Sequence, residues 1–175
     1  MPHELTFTVW GKAVGKQVGS SRQGFTYLKG NSRAYIMGAM AAARVAVRDQ
    51  AWAPPPRGVP VGVTALIYVP VPESWSKKTK AACIGLPAAS LPDSDNVLKG
   101  LYDAMMGHRL GPRTREGLVF ADDTQVAQAV ALKVWCAGPE ARVDVSVRVL
   151  TGTDGGTWTM PFWKPPDSER FGRAI

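Results

Sequence analysis

Leu5, Phe7 and Val9 alternate with threonines, the period of a strand with one buried face, and the segment from Arg142 to Val149 alternates as cleanly with valines on one side. The apolar run from Val59 to Pro70 reads as a further strand. Helical spacing replaces this pattern in two places. Asn31 or Ser32 is placed to cap a helix running through Ala51, which must end before Pro54-Pro55-Pro56. From Asp95 onward, Val97, Leu98, Leu101, Tyr102 and Met105 form a second helical stripe. One stretch favours a strand over a helix: Val126, Val130, Leu132 and Val134 recur at even spacing, while Ala127, Ala129 and Ala131 keep a helix open. Gly11 to Gly30 is a glycine-interrupted hairpin or loop bearing Lys12, Lys16, Arg22 and Lys29. The expectation is an α+β fold in one domain over residues 1–150. A tail at 151–175 follows, rich in Gly, Thr and Pro but carrying Trp158, Phe162, Trp163 and Phe171, so it is either loosely ordered or docked through its aromatics.

Composition narrows the class. With 175 residues, 45% apolar and 20% charged, the chain has the material for one soluble domain with a proper core. Its 21 basic residues against 14 acidic ones give a net charge of +7, which favours a polyanionic partner; DNA, RNA or an acidic protein would each satisfy that balance. Cys83 and Cys136 are too few for a disulfide framework and lack metal-ligand spacing, so reduced thiols in a cytosolic protein are expected. No apolar run approaches a membrane span, and no charged-then-apolar leader opens the chain.

In a chain with so few acids, their grouping is informative. Asp93 and Asp95 stand two apart in Pro92-Asp93-Ser94-Asp95-Asn96, Lys99 follows one turn later, and Asp122-Asp123 lies downstream ahead of Gln125-Val126. Proline disfavours helix at the residue before it, so Ser90-Leu91-Pro92 is an extended lead-in and Asp95 falls where an N-cap belongs. Asp93 can then direct its carboxylate to the same side, and the positive end of the helix dipole eases the repulsion between the two. Lys99 rises roughly 6 Å from Asp95 on the same face, within lysine's reach of a phosphate beside a bound cation. Asp103, roughly 12 Å along, is too far for that site and is expected to pair with Lys99 or stay solvated. In extended chain Asp122 and Asp123 face opposite ways, so one of the two should point into a given metal site. Each of these aspartates has a blander use, as a helix cap or turn-former; it is the company of Lys99 and the downstream pair that points to metal-assisted phosphate chemistry.

These motifs, in order and spacing, resemble the RusA family of Holliday-junction resolvases, found largely in phages and prophages. The preceding Val69-Pro70-Val71-Pro72-Glu73-Ser74-Trp75-Ser76-Lys77-Lys78 is similar to the family's stretch before the active site, and Lys133 fits its later basic position. The likeness is strongest over residues 60–135 and weaker over Gly11 to Tyr35. It implies a mixed or antiparallel sheet with two main helices, a homodimer, and a Mg²⁺-dependent endonuclease, with Mn²⁺ as a substitute, that makes paired nicks across a four-way DNA junction in a bacterial or phage-infected cytoplasm. It further implies Asp93, Asp95, Lys99 and Asp123 as catalytic residues and Asp93, Asp95, Asp123 and Asp122 as the metal-binding set. The chain departs from the pattern at Ser94, usually apolar, at Leu91, where lysine is common, and in a longer interval from Asp103 to Asp122.

DNA contacts are expected from Lys77, Lys78 and Lys80 just ahead of the acids, from Lys12 and Lys16, and from Arg109, Arg113 and Arg115 in the long interval, which is either a DNA arm or a disordered insertion. His108 is expected to be incidental, and Trp75 to pack rather than stack on bases. No membrane and no small-molecule cofactor is expected. Two other readings stand beside the resolvase: a branched-DNA-binding protein that does not cleave, and a metal-dependent phosphohydrolase acting on nucleotides or RNA. The nucleotide version is weakened by the absence of a glycine-rich phosphate loop.

Overall fold

Alternation becomes strand pairing in the structure, a computed structural model that describes residues 3–20, 22, 26–107 and 117–150. Strand β1 (Glu4–Trp10) buries Leu5, Phe7 and Val9, as their spacing requires. The glycine-rich stretch contains a short hairpin, β2 (Val18–Ser20) with β3 (Thr26–Leu28), before helix α1 (Gly30–Asp49). Strand β4 (Val61–Pro70) is buried along most of its length, the signature of a central strand. Helices α2 (Lys77–Cys83) and α3 (Ser94–Met106) follow, then β5 (Val126–Cys136) and β6 (Arg142–Val149).

The main sheet has the order β1-β6-β4-β5. β6 pairs antiparallel with both β1 and β4, whereas β4 and β5 run parallel with Ile67 opposite Lys133 and Val69 opposite Trp135. The fold is thus a single α+β domain on a mixed sheet, as expected. Ile36, Ala39 and Ala43 of α1 and Val97, Leu101 and Met105 of α3 join Phe7, Val63, Ile67 and Val145 in one core. Among the described residues no helix is long and apolar enough to cross a membrane.

One open choice is settled as the spacing favoured, and three local differences from expectation have physical causes. The 126–136 segment is a strand, because parallel pairing with β4 gives its weakly committed alanines ladder partners. α1 starts without help from Asn31 or Ser32: the buried Ser32 hydroxyl instead donates to the Gly15 carbonyl (2.9 Å) and accepts from the Gln17 N–H (3.0 Å), fixing the segment ahead of the hairpin. α2, a third helix, is too short to show a stripe and is marked by its cap alone, the Ser76 hydroxyl accepting from Thr79 N–H at 3.1 Å. α3 begins two residues earlier than expected, with Asp93 as N-cap; proline restricts Leu91, and nothing keeps Ser94 out of the first turn.

Asp103 is a correction. It is neither solvated nor paired with Lys99 but buried, with its carboxylate 2.7 Å from Lys16 Nζ. The 12–17 segment runs alongside α3, with Lys16 N–H donating to Asn96 O (2.8 Å) and Gly15 so close that a Cβ there would lie 3.1 Å from that of Asn96. Lys16 thus ties the 12–17 segment to α3. Replacing Asp103 by Ala strands a largely buried ammonium, and urea denaturation should show a loss of about 3 kcal/mol. The double variant Lys16→Met/Asp103→Leu should recover most of it, since the cost lies in the unpaired charge.

Candidate active site

All of the candidate acids lie in the crossover between β4 and β5. Leu91-Pro92 is a cis peptide, and the Lys133 ammonium from β5 donates to the carbonyls of Ser90 and of Pro92, the latter at 3.1 Å. The strand thereby holds the chain immediately before Asp93. Asp93 is extended (φ −65°, ψ 135°) and exposed, and it makes no side-chain capping bond although it occupies the capping position. Its carboxylate is thus not engaged in the role that most simply explains an aspartate there. Asp95, in the first turn, accepts from Lys99 Nζ at 3.0 Å, and both side chains are more than half exposed. That hydrogen bond holds the Asp95 carboxyl below the usual carboxylate range.

The second acidic segment is held by a residue that the sequence reading passed over. Gln125 is buried, and its amide makes four bonds: Oε1 accepts from the N–H groups of Ala121 (2.9 Å) and Asp122 (3.2 Å), and Nε2 donates to the carbonyls of Pro56 and Val59, both at 3.0 Å. Asp122 caps the 3-10 turn Asp123–Gln125, its Oδ1 accepting from Thr124 N–H at 3.0 Å, which also lowers its carboxyl pKa. The reciprocal bonding of Asp122 and Gln125 is a capping box, and the Asp-x-x-Gln spacing was its signal. Trp52 secures the same segment from α1's end, Nε1 donating to Val119 O at 3.0 Å. Asp123 is left exposed.

Asp123 faces α3. Tyr102, one turn beyond Lys99 on that helix face, has its phenol pKa raised by burial first and by the negative charge of Asp123 second. Tyr102 also packs edge-on to Phe120 at 6.3 Å. Tyr102 is about 10 Å along the helix from Asp95, so the two acidic segments address one helix face at different heights. Among the described residues no three His, Cys, Asp or Glu side chains are gathered closely enough to hold a metal. The single chain does not assemble the four expected carboxylates into one preformed cage.

The donor chemistry nevertheless fits Mg²⁺, which takes oxygen ligands and commonly rests on one or two carboxylates, with waters and substrate phosphate completing its shell. Asp93, uncapped, and Asp95 supply such a pair. Of the proposed DNA contacts, Lys12, Lys77 and Lys78 are exposed, and Lys80 Nζ donates to Glu73 O at 2.8 Å. Arg109, Arg113, Arg115 and His108 lie outside the described residues, as does the 151–175 tail. Cys83 and Cys136 are both free thiols. Trp75 packs on Trp135, ring centroids 5.2 Å apart, consistent with a packing role.

Residues 14–148 match the family model described as endodeoxyribonuclease RusA. The chain belongs to the RusA family. It is also 29% identical over 156 residues to the uncharacterized protein YqaN of Bacillus subtilis (strain 168), a match that covers 84% of this chain and 97% of that protein. The RusA match takes in both acidic segments and every strand except β1 and the last residue of β6. The activity class that comes with it, endodeoxyribonuclease, agrees with acids and a lysine placed at an accessible helix start.

The Gln125 clamp predicts a distinctive variant. Gln125→Glu keeps the acceptor but sets a carboxylate against two carbonyls, so chemical denaturation at neutral pH should show a loss of about 3 kcal/mol. The repulsion raises the new carboxyl's folded-state pKa, and its neutral form can donate. The deficit relative to the unaltered protein should therefore shrink below about pH 4 and grow as pH rises through the folded-state value.

Proposed function

We propose that this RusA-family protein is a Mg²⁺-dependent endonuclease that resolves four-way DNA junctions by paired nicks, acting as a homodimer. The observation that carries the reading is the start of α3. An aspartate in the capping position makes no cap, a second sits in the first turn, and an exposed lysine stands beside them on a helix whose approach is tethered by Lys133.

Asp93 and Asp95 would hold the Mg²⁺, with Asp123 completing the acidic set from the facing segment; when bound, the ion supplies Lewis-acid stabilisation and an activated water. Lys99 stays close to the phosphoryl oxygens as they become more negative, where its charge counts most. Lys133 and Gln125 act through the backbone, holding the segments that carry the acids. Junction specificity follows from symmetry: a two-fold dimer offers two equivalent sites to two equivalent strands, so the shape of the branch selects the substrate and pairs the cuts.

The test uses a labelled four-way junction and a linear duplex, each with and without Mg²⁺. Paired nicks should appear in the junction only with the metal, and the duplex should survive. Asp93→Asn, Asp95→Asn and Asp123→Asn should each reduce cleavage to background while gel-shift affinity for the junction is kept. Lys99→Ala should slow cleavage by about 10²-fold with a much smaller effect on binding. It should also move the Asp95 carboxyl up toward its ordinary titration range in a carbon-detected NMR experiment, because the bond that lowers it is gone. Wild-type cleavage by any one of the Asp variants would remove that residue from the site. Junction binding without nicking by the unaltered protein would favour the non-cleaving reading.

A further inference from the structure

Strand β1 ends on a tryptophan that is not buried: Trp10 is 70% exposed. Its surroundings are built rather than incidental. Trp10 and Tyr68 both stand opposite Arg142 in the strand registers, and the Arg142 guanidinium lies 3.7 Å from the Tyr68 ring centroid and 5.7 Å from that of Trp10. The guanidinium is oriented by Asp144 (Nε to Oδ2, 3.1 Å), which in turn accepts from the Thr8 hydroxyl at 2.8 Å. Trp10 is thus backed by a fixed cation and leaves most of its surface to solvent.

Two grooves meet at this ring. One, of about 810 Å³, runs between Trp10 and Lys12 on one side and Pro70, Pro72 and Glu73 on the other. The second, of about 620 Å³, lies over Thr6, Thr8, Arg142 and Asp144. From Trp10 the chain passes through Gly11 (φ +97°) and Lys12 to Gly15, which packs on Pro92 and Asn96 beside the candidate acids. Gly15 is five positions on from Trp10, at most about 18 Å of chain. Exposed Lys12 lies in the groove, and α2's Lys77 and Lys78 follow its far wall in sequence.

We propose that Trp10 is a stacking platform for an unpaired base of the DNA substrate, with Lys12 meeting the adjoining phosphate. The proposal rests on the nuclease reading for the identity of the polymer. It adds a place where a base leaves the duplex stack. A flat aromatic face suits any base, whereas a folded protein partner would need a matched surface around it; the excess positive charge of the chain favours the polyanion.

The test compares the unaltered protein with Trp10→Ala, Trp10→Phe and Lys12→Ala, titrated in EDTA against a fluorescein-labelled single-stranded thymidine oligonucleotide, a linear duplex and a four-way junction. Trp10→Ala should weaken single-strand binding by about five-fold to a hundredfold, Trp10→Phe should restore most of the affinity, and duplex binding should not change. Lys12→Ala should flatten the salt dependence by about one unit of slope. Unchanged single-strand affinity in Trp10→Ala overturns the platform, as does an equal loss on duplex. A shift in sedimentation with single-strand affinity intact also overturns it and makes Trp10 a contact between copies of the chain. If the unaltered protein fails to cut junctions, the resolvase reading falls, while the single-strand titration still decides the role of Trp10.

Discussion

Parallel pairing of β4 with β5 is the constraint from which the candidate site follows. Two parallel neighbours cannot be joined by a tight turn; the chain must return along the sheet before the second strand begins. Here the return carries α2, α3 and the Asp122-Asp123 turn. Each candidate acid lies in that connection, so its position is set by how the connection is tied to the sheet rather than by the strands themselves. Loops and helix starts held on a rigid sheet are where polar groups can be exposed without loosening the core.

Two of those ties sit at and along β5. Gln125 sits just before its first residue and fixes the Asp122-Asp123 segment; Lys133, in its second half, fixes the approach to Asp93. The two ties are about 26 Å apart along the strand, and α3 spans about 20 Å between its ends. With its start tied near Lys133 and its Met105 carbonyl accepting from Leu118 and Val119, α3 runs back along β5, and the acids are strung out along it. This geometry explains why no three described carboxylates are gathered, and it suits a hard cation whose shell is finished by water and phosphate.

The parts that were legible in the sequence are those fixed locally. β1, β4, β6 and the α3 stripe follow from side-chain period, and the Asp93, Asp95, Lys99 spacing gives the helix-start cluster without any tertiary knowledge. β5 was only partly legible because alanines at alternate positions state no preference until β4 lies alongside. Ser32 was misread as a cap because its true partners, Gly15 and Gln17, come from the preceding segment. The roles of Gln125 and Lys133 were hidden for the same reason: a side-chain amide bonded to Pro56 and Val59, and an ammonium bonded to carbonyls ahead of Asp93, leave no pattern at their own positions. Only the capping-box spacing of Asp122 and Gln125 was there to be read.

The two lysines that pair with acids near α3 show why burial, not proximity to the site, separates structural from functional charge. Lys16 and Asp103 are mostly withdrawn from water, with side-chain exposures of 19% and 9%, so parting them exposes neither charge fully to solvent. Opening that pair is costly. Lys99 and Asp95, at 58% and 65%, keep their hydration when separated, and a screened surface pair contributes little to stability. The Lys99–Asp95 pair can therefore be parted at small cost, leaving both groups solvated. The same ion-pair chemistry on one helix gives a strut in one case and a solvated, exchangeable pair in the other.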